Sequence, residues 1–501
     1  MGIVRKQALA NSIFSYIGVG LGYLNVIILF PAFFTSDEFG LLSLIISVSV
    51  IYAYLSAIGL ANTIPRFFPF FKTDDKLHNG FMSYILLIGV AGFLIITILF
   101  IVLRPLIISA YIEKSAEFVN YYYFLIPLSL FTLLYNVFEA IARAIYKTSF
   151  ATFLKETLLR LLTTIGIILF MFKILNFNQF IYFYVIINCV CAILLLFQTI
   201  FSKEFVFKFN FKDLTKEKFK ELMKYGGFLY ISSASMIIGQ SGADTLFLGS
   251  MVGLSIVGAY TIYMRIATLI YVPMRSLSKI SVPVIANCFK ENDLKQISDI
   301  YKRTSLIQLI IGCLIYIGVI INKHNLFYFL KKPEYIESFN IFYFVGIAVL
   351  IDIAVGLNSE IIVNSPKYKF DPLFNIILLI VSISANYFLI PVFGGVGAAL
   401  AAIASFFTFN FIKWLFLVIN FKMQPLDYRQ LIVIGIAIIS YFIGNAIPII
   451  NNIFIDAIVR SGITVLIYGG LTVLLKVSPD LNERYVVYKN LIKNFFTTKN
   501  T

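Results

Sequence analysis

Charged side chains are scarce in this chain: 13% of its 501 residues, against 60% hydrophobic. A soluble globular chain averages about 25% charged and roughly 45–50% apolar. Its cores could not hide such a surplus, whereas lipid solvates it without cost, so the composition excludes a soluble fold. Histidine is scarcer still. His78 and His324 are the two in the chain, and they are expected on opposite sides of a membrane. No nucleophile elbow, phosphate loop or metal-spaced cluster accompanies them. Enzyme chemistry therefore has no visible seat, and no cofactor or metal is expected. There are four cysteines, Cys189, Cys191, Cys288 and Cys313. All fall in expected spans or at a cytoplasmic edge, so no structural disulfide is expected. Cys189 and Cys191 are two apart in an apolar run and would not face each other on a helix, so no metal site is expected either. Acidic residues are few beside basic ones, 25 against 40, for a net charge of +15. That excess could signal nucleic acid, but the lysines sit in short loops between apolar runs, which is the pattern of membrane topology. Nucleic acid is excluded as a partner.

What the chain does have is apolar runs of spanning length. The first, Ala8 to Phe34, follows Arg5 and Lys6 and is too long for a signal-peptide core of about 7–15 residues; it reads as an uncleaved first span. Further runs give spans near 8–34, 39–63, 80–103, 119–142, 150–172, 178–201, 226–248, 255–280, 304–321, 339–362, 371–391, 395–419, 430–450 and 457–475, fourteen in all. In lipid every backbone polar group needs an internal partner, so these runs are helices. The short alternating segments of a membrane β-barrel are absent.

Loop charges test the count. With the N-terminus inside, cytoplasmic loops and ends hold 28 Lys and Arg, and outer loops hold seven: Arg104, Lys114, Lys173, Lys323, Lys331, Lys332 and Arg460. Losing or adding one mid-chain span would destroy this alternation, so both termini are expected in the cytoplasm. The most basic loop, 202–225, links spans six and seven. Within it Asp213 to Lys224 can form an amphipathic helix on an anionic inner leaflet; topology and solubility explain its lysines equally. Tyr121, Tyr122 and Tyr123 read as an interfacial belt.

An internal repeat is faint but well placed. Gly40 follows Asp37, Glu38 and Phe39 at the start of span two. Gly258 follows Ser255, Ile256 and Val257 at the start of span eight. Pro65 and Pro283 close these spans at the same distance from their glycines. The paired segments run in the same sense, which is a parallel repeat about an axis along the membrane normal.

Three groups of residues resemble a known family. Asn386, Ile390-Pro391 and Gly394-Gly395-Val396-Gly397-Ala398-Ala399 resemble the eleventh-to-twelfth-span signature of polysaccharide exporters. Glu38-Phe39-Gly40-Leu41, Gly59-Leu60 and Pro65-Arg66-Phe67 resemble their second span. Lys224-Tyr225-Gly226, Asp244, Val257-Gly258-Ala259-Tyr260, Arg265 and Pro273 resemble spans seven and eight. Their order and spacing cover most of residues 1–420. The family lies within the multidrug, oligosaccharidyl-lipid and polysaccharide exporter superfamily. The resemblance implies an all-α polytopic membrane protein of about fourteen transmembrane helices. Two six-helix bundles, 1–201 and 226–420, would be related by a pseudo-twofold along the membrane normal. They would be joined by the linker 202–225 and followed by two extra helices in 421–476 and a cytoplasmic tail, 477–501. It implies a flippase for undecaprenyl-pyrophosphate-linked oligosaccharide in a bacterial plasma membrane, working by alternating access through a cationic central cavity. Its partners would be that substrate, membrane lipids, and polysaccharide polymerase and chain-length machinery. A lipid II flippase also has fourteen spans, and a drug or toxin exporter of the same superfamily usually has twelve; both stand as alternatives. A membrane-embedded polymerase or acyltransferase is a third, but the long outer loop expected of a polymerase is missing.

A sugar pyrophosphate needs a wet, cationic path, since its headgroup is costly to bury. Charges within spans cost about 2.5–3.5 kcal/mol each on insertion scales and mark functional candidates. Arg265, about ten residues into span eight, is the first, as cavity lining or in a pair with another helix. Asp244, in span seven, is either the family's acidic position at work or its structural partner. Glu156 with Arg160, and Glu139 with Arg143, are four apart and can pair locally; Arg160 lies deeper and can face the cavity. Asp352, midway along span ten, has no local cation and suits either proton coupling or a protonated buried acid. Arg275 and Lys279, one turn apart near the inner end of span eight, can receive the pyrophosphate or snorkel to lipid phosphates.

Overall fold

The computed structural model describes residues 2–73, 78–202 and 216–483. Among them there are helices and no β-strands. The helices are clothed in exposed apolar side chains such as Leu94, Ile98, Leu431, Ile458 and Leu466. An exterior of that kind needs lipid against it. The chain is a multi-pass membrane protein.

Ten helices among the described residues are long and apolar enough to cross a bilayer, or eleven if the bent pair Asn340–Ala354 and Asn358–Asn364 is one span. The expected count was fourteen, and the difference has physical sources. Tyr368–Phe421 is one helical run of 54 residues, about 80 Å at 1.5 Å per residue and far longer than one crossing. Its midpoint is marked by Gly394, at φ 56° and ψ −130°. Only glycine accepts that conformation readily. The expected fifth span, 150–172, falls in the helical stretch Thr148 to Met171, which holds Lys155, Glu156 and Arg160 and is interrupted by a π-helical stretch, Phe153–Leu158. The expected interfacial helix at 213–224 has its first residues outside the described range; from Lys216 it runs directly into the seventh span. The lysines in 203–215 and the tail 484–501 also lie outside the described residues.

The chain divides into two compact units. The first holds Met1–Arg265, Leu330–Ser338 and Pro372–Ser405; the second holds Ile266–Phe329, Phe339–Asp371 and Phe406–Thr501. Within the first, the glycines of the repeat meet. A Cβ on Gly40 would strike the carbonyl of Leu254, and one on Gly258 would strike that of Ser36. Gly40 Cα lies 3.5 Å from the Cβ position of Gly258. The contact is reciprocal: each glycine abuts the carbonyl four residues before the other. Self-complementary contacts of this kind form where a twofold axis passes. The first span packs similarly on the fifth. Gly18 and Gly22, four apart, give the backbone and side chains of Glu156 and Arg160 room to approach, as small residues do between membrane helices.

The aromatic belt expected at Tyr121 to Tyr123 is corrected. Tyr122 is buried, stacks on Phe100 with ring centroids 4.2 Å apart, and donates to the Phe100 carbonyl at 2.5 Å. Tyr121 is buried as well, and Tyr123 is the exposed member, beneath the Arg104 guanidinium. A loop that folds back on its own helix ends can bury rings that a linear reading assigns to the interface.

Candidate functional site

Three polar centres lie in the first unit. Asp244 follows the π-helical stretch Ile238–Gly242 of the seventh span and is 2% exposed. Its Oδ1 accepts from the Asn386 amide at 2.8 Å, and its Oδ2 accepts from the Tyr260 hydroxyl. A buried carboxylate needs such donors to offset its lost hydration. Asp244 therefore draws on two neutral donors, and Arg265 supplies neither. Arg265 is exposed, and its carbonyl accepts from Tyr23 at 3.4 Å.

The second centre joins the first and fifth spans. The Arg160 guanidinium donates to Glu156 Oε2 at 2.6 Å, as the four-residue spacing predicts, and also to the Gly18 carbonyl. Asn25 donates to the Arg160 carbonyl at 3.0 Å and accepts from Thr164 at 2.7 Å. Arg160 thus keeps partners on two helices, with its side chain 32% exposed.

The third centre corrects the expected Glu139–Arg143 pair. Glu139 Oε2 lies 3.6 Å from the Lys155 ammonium, and Arg143 donates to the Ala61 carbonyl at 3.0 Å. Sequence spacing puts the two within reach, but each finds a partner on a neighbouring helix, and the weak four-apart preference yields.

The second unit holds the polar network that spacing rules missed. Asp352 has partners after all: Oδ2 accepts from the Tyr271 hydroxyl at 2.8 Å and Oδ1 from the Asn410 amide at 2.7 Å. Asn410 accepts in turn from Asn358 at 2.7 Å. Three residues on, Lys413 donates to Ser359 Oγ at 2.9 Å and pairs with Asp371 Oδ1 at 3.1 Å. Glu360 accepts from Ser278 at 2.8 Å. These partners come from four stretches of chain, 42 to 82 residues apart, so no local pattern announces them. Arg275 and Lys279 are both exposed on the helix Val272–Glu291.

The same unit has an apolar cavity of about 910 Å³, lined by Leu309, Cys313, Ile317, Ile347, Leu431 and Ile434 among others. A polar pocket of about 500 Å³ in the first unit is lined by Glu38, Glu117, Asn120, Tyr121, Asn178 and Tyr182 among others. Among the described residues no group of three or more His, Cys, Asp or Glu could hold a metal ion.

Comparisons with known proteins follow the fold. The family model described as polysaccharide biosynthesis protein matches residues 4–289, and the MatE model matches residues 231–388. The chain is similar in structure to the lipid II flippase MurJ in its inward closed conformation: the TM-score is 0.73 at 14% identity, over 94% of this chain and 98% of that one. It is similar to an inward-facing multidrug resistance transporter of the MATE family, with a TM-score of 0.61 at 15% identity over 82% and 94%. A third likeness is to a Vibrio cholerae MATE transporter, VcmN, with a TM-score of 0.51 at 13% identity over 83% and 97%. At such identities the likeness is one of fold. No curated protein sequence matches the chain.

Proposed function

Since the chain belongs to the polysaccharide biosynthesis protein family of the multidrug, oligosaccharidyl-lipid and polysaccharide exporter superfamily, we propose that it is a flippase for undecaprenyl-pyrophosphate-linked oligosaccharide. It would move repeat units across the bacterial plasma membrane by alternating access, for assembly of O-antigen, capsule or exopolysaccharide. Both termini would be cytoplasmic. The observation that carries this reading is the family match, which runs through more than half of the chain.

The site chemistry is compatible with each part of such a substrate. An anionic pyrophosphate favours cations that are held near water, and Arg265 in one unit and Arg275 and Lys279 in the other are exposed. Arginine grips phosphate with a planar fork of donors, whereas lysine offers a point charge. Arg160 has spare exposed surface beyond its bond to Glu156, and Glu139 and Asp244 serve as structural acids. The apolar cavity in the second unit suits a stretch of polyprenyl chain. Asp352 is the acid we assign to coupling or to structure.

The experiment is genetic. Deleting the gene should abolish surface polysaccharide and leave lipid-linked repeat units in the cells, and a plasmid copy should reverse both. Unchanged surface polysaccharide would overturn the reading. The second reading, a lipid II flippase, is favoured by the likeness to MurJ over nearly the whole of both chains. It predicts arrested peptidoglycan synthesis and lysis on depletion.

A further inference from the structure

We propose that the ammonium of Lys413 is a resident cation: it occupies, within the second unit, a carboxylate-and-hydroxyl site that would otherwise take a monovalent metal ion or an alkylammonium ion.

The first observation is where Lys413 ends. A lysine within a spanning segment normally snorkels its ammonium to the interface. Lys413 does not, for its side chain is 1% exposed. The ammonium meets Ser359 Oγ at 2.9 Å, Asp371 Oδ1 at 3.1 Å and the face of the Phe409 ring, whose centroid is 4.0 Å away. A carboxylate oxygen, a hydroxyl oxygen and a ring face are the donors that hold alkali and alkylammonium ions. Asp352 and Glu360 also lie within electrostatic reach of the ammonium. One carboxylate, Asp371, therefore meets the cation directly, and two more lie within its electrostatic reach.

The second observation is what surrounds it. The tenth span is broken between Ala354 and Asn358 with a bend of 42°, and Gly356 in the break has φ 71°. Two neighbouring helices each touch both sides of this break. From one, Asn410 bonds to Asp352 before the break and to Asn358 after it, while Lys413, on the same face, reaches Ser359. From the other, Tyr271 bonds to Asp352 before the break and Ser278 to Glu360 after it. The positive charge is thus part of the clamp on a bent span. A clamp that carries its own cation holds the bend without drawing an ion from solution. An exchangeable ion at this place would make the bend respond to salt, and a tethered one does not.

The test uses the purified full-length protein in detergent, with thermal unfolding read in N-methylglucamine, sodium or propylammonium chloride at equal ionic strength. Each variant is compared with the wild type in the same salt, so that responses arising elsewhere cancel. Lys413→Ala should have a lower Tm in N-methylglucamine, and sodium or propylammonium should raise it relative to the wild type. Adding Asp371→Asn should abolish that rise. The proposal is overturned if Lys413→Ala shows no more cation response than the wild type, or if its response survives Asp371→Asn. Where Lys413→Ala does not accumulate, membrane abundance decides. Lys413→Met together with Asp371→Asn should recover abundance that Lys413→Met alone loses, and equal loss in both would overturn the proposal.

Discussion

Asp244 and Asp352 meet the cost of a carboxylate among apolar helices in the same way, with a tyrosine hydroxyl on one oxygen and an asparagine amide on the other. That arrangement separates two readings of Asp244. If its structural partner were Arg265, neutralising both would restore what one substitution loses. With Tyr260 and Asn386 as partners, Asp244→Ala should lower the amount of folded protein in membranes, and adding Arg265→Gln should not restore it. Quantitative immunoblots of the two singles and the double decide. Arg265 is judged by export: Arg265→Ala should lose more glycan export than Arg265→Lys at normal abundance, because lysine keeps the charge and loses the fork. The two ion pairs should also differ in weight. Glu139 and Lys155 are 30% and 46% exposed, so a double-mutant cycle should find about 0.2–1 kcal/mol. Removing one partner of the buried pair Lys413–Asp371 should cost about 3–5 kcal/mol. Lys413 was not among the in-span charges singled out from the sequence, although subtraction finds it. Of 40 Lys and Arg, loops and termini take 28 and seven, and five remain: Arg160, Arg265, Arg275, Lys279 and Lys413. Its partners were not legible, because rules for residues three and four apart do not see Asp371 or Ser359, which are 42 and 54 residues away.

Elements were legible where hydropathy and punctuation agree. The positions of most spans, the kink at Gly394 and the paired landmarks at Gly40 and Gly258 were open to reading, since each rests on composition or on a single glycine. The π-helical stretches and the break at Gly356 were not, because they answer to packing between helices distant in sequence. The glycine crossings carry a sharp prediction. Gly40→Ala and Gly258→Ala should each reduce membrane abundance, since a methyl group at either would overlap a backbone carbonyl. Gly20→Ala, on the first span, meets nothing within 4 Å and should match the wild type. Equal behaviour of all three would mean that the reciprocal contact is not formed. Gly394→Ala should destabilise by about 1–3 kcal/mol, the strain of holding a residue with a Cβ in a glycine conformation.

For the whole molecule, orientation rests on the charge bias of its loops, 28 cations against seven. With the expected topology, an impermeant thiol reagent applied to intact cells should reach Lys331→Cys and miss Lys218→Cys. Strong labelling of the latter would invert the assignment. The proposed function rests on family membership. The most direct measurement is translocation itself. The purified protein is placed in liposomes with a fluorescent undecaprenyl-pyrophosphate oligosaccharide, and the fraction of label reachable by an impermeant quencher is followed with time. The account predicts exchange of the lipid between leaflets well above that of protein-free vesicles, with Arg265→Ala slower than Arg265→Lys and both slower than the wild type. Exchange no faster than in protein-free vesicles, with lipid II moved instead under the same conditions, would contradict it.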